Sequence, residues 1–193
     1  MRDALRLTVL LVGLIWLVGC SQTSQTLRLS PTPPDIGESL GNDTAIALQV
    51  IDGRDGRDLG MFENPDGSLV RLTTEANVDY SLQLAAAEAL RNAGFQPTLW
   101  SDSALPRVEI RIDTLEHEVI AGIPYELATT IALTGTAWAG SERYTTRARG
   151  TLNRQRPLPP RAKTNADMVS EAMSQALGNL LDEGFVGFLH ERR

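Results

Sequence analysis

Three long stretches in the second half of the chain alternate apolar and polar side chains at a period of two, which is typical of half-buried β-strands. The first runs from Val108 to Ile112, and its alternation slips near Thr114, which predicts a β-bulge. The second runs from Tyr125 to Leu133 and the third from Arg143 to Leu152. Because short connections separate them, we expect an antiparallel meander. Shorter stretches with the same alternation lie at residues 45–51, 68–73 and 98–100.

Two other stretches repeat their apolar residues at the spacing of an α-helix. The first covers residues 78–93 and stops at Gly94, a residue type favoured directly after a helix. The second extends from Asn165, a plausible N-cap, to Leu189. Gly184 lies inside this second stretch and either permits close packing or breaks the helix, since glycine is unfavourable in a helix interior by about 1 kcal/mol.

The order of these elements predicts an α+β fold. We expect a two-layer sandwich in which two helices pack on one face of a mainly antiparallel sheet. One domain over residues 44–193 accounts for all of them. A chain of 193 residues with 42% hydrophobic side chains is long enough for one such core and too short for two ordinary domains.

Composition excludes several functional classes. A net charge of −6 and an aromatic content of 5% argue against a nucleic-acid partner. A single cysteine excludes an internal disulfide framework and any site that needs several cysteines. We find no serine-hydrolase elbow, phosphate loop or dinucleotide fingerprint, and we therefore predict no catalytic residues, no cofactor and no enzymatic activity.

The amino terminus has the features of a secretory signal peptide. Two arginines precede an apolar run from Leu7 to Val18, which at 12 residues is short of the roughly 20 that span a membrane. The run ends in Leu17-Val18-Gly19-Cys20, which resembles a bacterial lipobox. We therefore predict that residues 1–19 are removed by cleavage between Gly19 and Cys20, and that acyl chains on Cys20 anchor the protein in a membrane.

The residues after the cysteine predict a destination and a tether. Ser21 follows Cys20, and by resemblance to Gram-negative lipoproteins this favours the outer membrane, with the domain facing the periplasm. Residues 20–43 are rich in Ser, Thr, Gln, Pro and Gly, so we predict a lipidated N-terminus and a flexible tether. The alternation of Leu27 and Leu29 leaves open a short edge strand within it.

Two patterns suggest metal or acid–base chemistry, and neither is sufficient. The stretch from Asp52 to Glu63 has acids at three positions of a calcium loop, but Arg54 and Arg57 occupy positions that calcium binding cannot tolerate. Glu116-His117-Glu118 places its two carboxylates on one side of a strand and the imidazole on the other. We predict no metal site, and we expect a solvated loop and an exposed acidic strand end.

Charge is segregated along the chain. Residues 143–163 contain seven basic residues and no Asp or Glu. Arg143, Arg147 and Arg149 share the polar phase of one predicted strand, so their guanidinium groups leave one face of the sheet. They predict a surface for an anionic partner. The simpler alternative is a solvated face partly neutralised by nearby acids, which the sequence places at Glu109, Asp113, Glu116 and Glu118.

The chain also resembles a family, the YajG-like bacterial lipoproteins. The matching features are the lipobox at Cys20, the stretch from Asp52 to Gly60, the helix end at residues 89–95, and Tyr125 with Ala128-Thr129. The resemblance implies a lipoprotein without an established activity, and it supplies no catalytic residues. More distantly, the layout is similar to small lipoproteins that assist transport or assembly at the outer membrane.

Three functional hypotheses remain open from the sequence. The first is a non-enzymatic accessory protein that binds an envelope protein. The second is a binding module for an anionic envelope polymer such as peptidoglycan or lipopolysaccharide. The third and weakest is a cell-wall hydrolase.

Overall fold

The computed structural model describes residues 24–37, 40–56 and 58–191, and these form eight strands and three helices. The first half contains, in chain order, β1 (Ser24–Leu27), β2 (Ala45–Asp52), β3 (Gly60–Glu63), β4 (Leu69–Thr74) and α1 (Val78–Asn92). The second half contains β5 (Gln96–Thr98), β6 (Arg107–Ile120), β7 (Tyr125–Ala139), β8 (Glu142–Arg156), α2 (Ala162–Leu180) and α3 (Glu183–Glu191).

Five of the strands form one large sheet in the order β5-β2-β6-β7-β8. The last three strands pair antiparallel, as the predicted meander requires, and their ladder shifts between Ile112 and Thr114, where the bulge was expected. Strand β2, in contrast, pairs parallel with both β5 and β6. The sheet is therefore mixed, because the chain returns to it by a crossover through β3, β4 and α1.

The other three strands form a small sheet in the order β1-β4-β3. Strand β3 was not predicted, since only Phe62 of its four residues is buried and no alternation is visible in so short a segment. The buried residues of the small sheet belong to the same hydrophobic core as those of the large sheet. The predicted α+β sandwich is confirmed, with this second sheet as an addition.

One face of the large sheet is covered and carries the core. Helix α1 packs on β2 and β5, and helix α2 packs on β7 and β8. Close approach of α2 depends on Gly150 of β8, where a Cβ atom would lie against the carbonyl oxygen of Ala172. The predicted long second helix is divided into α2 and α3 at residues 181–182. Its N-cap is Arg161, and Asn165 lies buried within the first turn rather than capping it.

The predicted tether is attached to the domain wherever the structure describes it. Strand β1 pairs parallel with β4 and buries Leu27 completely, which realises the alternative of a short edge strand. Downstream, the backbone N–H groups of Ser30 and Thr32 donate to the hydroxyls of Ser170 and Ser174 on α2, at 3.0 and 2.7 Å. The prediction of a flexible tether is therefore wrong for residues 24–37, because a proline-rich composition does not exclude pairing through the remaining N–H groups.

Candidate functional site

The uncovered face of the large sheet, here called the open face, has small side chains along its centre. Every second residue of β7 points to it, and the central ones are Ala128, Thr130, Ala132 and Thr134, all half-buried. Side chains of β6 flank this strip on one side and those of β8 on the other. The side chains along the centre of the open face are short, whereas those along its two margins include long charged residues. The open face is therefore a shallow groove with charged margins, which we call the furrow.

Arg143, Arg147 and Arg149 form the β8 wall, and we call them the arginine column. All three are exposed, and they lie opposite Trp138, Thr134 and Ala132 of β7. None of their guanidinium groups has a hydrogen bond or ion pair to any residue that the structure describes. The sequence prediction that these three residues leave one face of one strand is therefore confirmed.

The acids that the sequence offered as neutralising partners lie on the opposite wall. Glu109, Asp113, Glu116 and Glu118 belong to β6, and β7 separates them from β8. The backbones of β6 and β8 are two strand spacings apart, about 9.6 Å, and no ion pair joins these acids to the arginine column among the described residues. Asp113 instead accepts a hydrogen bond from Thr134 at 2.6 Å. These four acids therefore do not pair with the arginine column.

Other basic residues of the same segment behave differently. Arg154 pairs with Glu171, and Lys163 pairs with Asp167 at 2.8 Å on successive turns of α2. These are exposed pairs, and such pairs contribute only about 0–1 kcal/mol each. Of the seven basic residues in this segment, two pair with acids of α2 and three form the arginine column on the open face, while Arg156 and Arg161 flank the segment after β8.

His117 is the centre of a buried polar chain on the covered face. It is 6% exposed, whereas Glu116 and Glu118 are exposed on the opposite side, as the strand periodicity predicted. Its Nδ1 lies 2.7 Å from the hydroxyl of Thr129, and its Nε2 lies 3.2 Å from Oδ1 of Asn165. Since Asn165 Oδ1 is an acceptor, Nε2 carries the proton and Nδ1 accepts from Thr129.

The chain continues from Asn165 to the first strand. Asn165 Nδ2 donates to Oε1 of Gln25 at 2.8 Å, and Gln25 Nε2 donates to the carbonyl oxygen of Pro160 at 3.0 Å. With His117 neutral, every link of the chain has one donor and one acceptor. Burial lowers the pKa of His117 below its ordinary value of 6.5, partly opposed by the hydrogen bond to Asn165. This arrangement holds β1 against α2.

The suspected calcium loop is organised by an arginine. Arg54 donates to both carboxylate oxygens of Asp52, from Nε at 2.8 Å and from a terminal nitrogen at 2.7 Å. Both side chains are buried, so the carboxylate at the first position of the loop faces a guanidinium group. Within the described ranges, no three or more His, Cys, Asp or Glu side chains come together in a geometry that holds a metal ion.

One feature of the open face was missed in the sequence. The Arg107 guanidinium carbon lies 4.6 Å from the ring centroid of Trp138 and 5.7 Å from that of Trp100, and the guanidinium donates to the carbonyl oxygens of Asp102 and Ala104. This stack closes the furrow at the end where β6 begins. The sequence analysis did not single out this stack, because Trp100 comes from the loop before β6 and meets Arg107 and Trp138 only in the folded structure.

The predicted cleavage and lipidation residues, Gly19 and Cys20, lie outside the described residues. A family model with the description "Uncharacterized lipoprotein" matches residues 31–188. The chain belongs to this lipoprotein family. Membership implies a lipid-anchored position in the cell envelope, and none of the helices in the described part of the lipoprotein has the length and apolarity to cross a membrane.

The fold of the lipoprotein is similar to that of other solved structures. Protein XCC0632 from Xanthomonas campestris, which matches the family model DUF330, is similar at a TM-score of 0.52 and 16% identity, over 86% of this chain and 97% of that one. PelC from Paraburkholderia phytofirmans, solved as a dodecamer, is similar at a TM-score of 0.38 and 14% identity, over 77% of this chain and 94% of that one. Of these two, the first indicates a shared fold. No curated protein matches the sequence.

Proposed function

We propose that this lipoprotein is a non-enzymatic accessory protein of envelope assembly or transport, which binds an acidic partner protein through the arginine column. It is anchored in the outer membrane by acylated Cys20 and faces the periplasm. One observation carries the proposal: three exposed guanidinium groups stand in line on an uncovered sheet face without a described partner.

The chemistry of the arginine column favours carboxylate-bearing partners. Guanidinium binds carboxylate in a bidentate manner, and an uncompensated cluster of charge attracts a partner of opposite sign before contact. The furrow beside the column offers the threonine hydroxyls of β7 as additional donors and acceptors. An extended face of this kind suits a protein surface better than a small ligand, which needs an enclosing pocket.

The two histidines support the absence of catalysis. His117 has both ring nitrogens engaged and is sealed from solvent. His190 is exposed, and its Nδ1 lies 2.6 Å from the carbonyl oxygen of Leu40. A histidine that acts as a general base needs a ring nitrogen that can reach the substrate, and both ring nitrogens of His117 are already engaged.

The test is capture of the partner by crosslinking in cells, with the triple variant Arg143→Gln, Arg147→Gln, Arg149→Gln. The matched control carries Arg28→Gln, Arg71→Gln and Arg91→Gln, which removes the same charge from exposed positions away from the open face. We expect the first variant to lower capture about tenfold, equivalent to about 1.4 kcal/mol for three charged contacts. The control variant is expected to capture as the wild type does.

Equal capture by the two variants at low salt contradicts the docking surface. Both variants should melt at the wild-type temperature, because exposed charges contribute little to stability. If peptidoglycan or lipopolysaccharide co-purifies in place of a protein and is lost with the arginine column, the surface binds an envelope polymer and the accessory-protein proposal fails.

A further inference from the structure

One end of the large sheet displays large apolar side chains to solvent. Ile123, in the turn between β6 and β7, is 98% exposed, and Leu158, just after β8, is 72% exposed. Leu69 at the start of β4 is 57% exposed. We call Ile123, Leu158 and Leu69 the apolar end. Apolar side chains grouped at one end of a domain indicate a contact surface.

The three residues meet at this end through the pairing of their strands. Tyr125, which follows the β6–β7 turn, pairs with Arg156, the last residue of β8. Leu158 in turn lines one groove together with Asn64 and Gln25, so the turn between β3 and β4 lies beside it. The large and the small sheet therefore end together here.

The chain enters the domain from the same end. Strand β1 begins at Ser24 and runs parallel to β4, which itself starts at the β3–β4 turn. Cys20 precedes Ser24 by four residues, a span of about 14 Å even when fully extended. A membrane that holds Cys20 is therefore within about 14 Å of the first residue of β1.

We propose that the apolar end rests on the membrane that holds the lipid anchor, with Ile123 and Leu158 among the lipid headgroups and upper acyl chains. This inference rests on the acylation of Cys20 proposed above. A short covalent link leaves the domain no freedom to stand away from the bilayer, and the end nearest the link carries Ile123 and Leu158, two of the most exposed large apolar side chains.

The apolar end carries charged residues beside its apolar ones. Arg156 and Arg161 flank the segment Pro157–Pro160, are exposed, and have no ion pair among the residues described by the structure. Acidic residues lie at the same end: Glu63 pairs with Leu69 across the small sheet, Asp66 accepts hydrogen bonds from Ser68, and Glu126 accepts one from Gln155 at 3.3 Å. The two arginines can contact lipid phosphates while the apolar side chains enter the bilayer, and it is the apolar contact that carries the proposal.

This orientation has a consequence for the arginine column. Strand β8 then rises away from the bilayer, and at about 3.4 Å per residue Arg149 lies about 24 Å and Arg143 about 44 Å beyond Arg156. The open face then runs along the membrane normal, with its arginines held out in the aqueous space where a partner can reach them.

The experiment measures the environment of single labels in the acylated mature protein. Since the one native cysteine is the lipidated one, Ile123→Cys, Leu158→Cys and Leu99→Cys each provide a unique thiol for an environment-sensitive NBD fluorophore. Leu99 is the matched control, because it is 94% exposed and lies before β6, at the opposite end of the sheet. The protein is reconstituted into vesicles of phosphatidylethanolamine and phosphatidylglycerol, and its acylation is verified by intact mass.

We expect labels at 123 and 158 to shift to shorter emission wavelength on reconstitution, to lose quenching by aqueous iodide, and to be quenched by spin-labelled lipids. The label at 99 should remain water-exposed. If all three labels stay equally accessible in acylated protein, the orientation is wrong while the anchor stands. An unmodified Cys20 refutes the anchor and the orientation together. Shielding of 123 and 158 without vesicles assigns the apolar end to a protein contact and overturns the lipid surface.

Discussion

Along β7, the two faces of the large sheet differ at every step of the chain. Leu127, Ile131 and Leu133 point to the covered face and are at most 1% exposed, whereas Thr130, Ala132 and Thr134 between them are half-buried on the open face. Both sets belong to the same strand and the same hydrogen-bond ladders. The difference lies in what covers them, since helices and the small sheet pack on one face only.

The two faces therefore answer to different physical constraints. On the covered face, the side chains must fill the space beneath the helices. Removing or adding a single methylene group there lowers the free energy of unfolding. On the open face, small and polar side chains remain compatible with water, and the long charged residues stand at the margins on β6 and β8. A sheet face held open in this way is available for contact, which is why the arginine column and not the core is the candidate site.

The strongest test of the difference between the two faces is to truncate two neighbouring side chains of β7, one on each face. Ile131→Ala on the covered face should lower the free energy of unfolding by about 2–5 kcal/mol, because it removes buried methylenes and leaves a cavity. Thr130→Ala on the open face should change it by about 0.5 kcal/mol or less. Urea unfolding of both variants measures the difference. Similar losses for the two would mean that the open face is covered in solution.

Gly150 offers the second largest effect. Gly150→Ala places a Cβ atom against the carbonyl oxygen of Ala172 and 2.9 Å from the nitrogen of Ala176, so α2 must move outward. We expect a loss of about 1–3 kcal/mol in thermal or urea unfolding. The control is Gly187→Ala in α3, where a Cβ meets nothing within 4 Å, and which should stabilise by up to about 1 kcal/mol. Tolerance of Gly150→Ala would show that α2 is not closely packed on β8.

His117 gives the smallest effect, and one that depends on pH. Burial lowers its pKa below 6.5 in the folded state, so the unfolded chain binds the proton first as pH falls. The contribution is complete above about pH 6.5 and is lost below it, by at most about 1.4 kcal/mol per pH unit until the lower folded-state pKa is reached. His117→Gln should flatten the stability difference between pH 7 and pH 5, whereas the exposed-site control His190→Gln should keep it. Parallel profiles for wild type and His117→Gln would assign the slope to other groups.

The central strands and their faces were predictable because each signal is local. Alternation over residues 108–112, 125–133 and 143–152 correctly assigned the buried phase of three strands, the bulge near Thr114 and the outward direction of the arginine column. The family followed from motifs along the chain and is confirmed by the match to residues 31–188. The predicted strand at 98–100 was displaced to Gln96–Thr98, because three residues carry too few alternations to fix a boundary.

What the sequence determined by itself is the set of periods and charges: which residues alternate, which stripe is apolar, and that Arg143, Arg147 and Arg149 leave one face together. Only the tertiary structure decided their partners. Parallel pairing of β2 with β6, the attachment of residues 24–37, and the chain from His117 to Gln25 all join residues far apart in sequence. Such contacts depend on which elements pack together in the folded protein. A local pattern of side chains does not predict which elements those are. For the same reason, the sequence offered acids to the arginine column that the structure places one strand too far away.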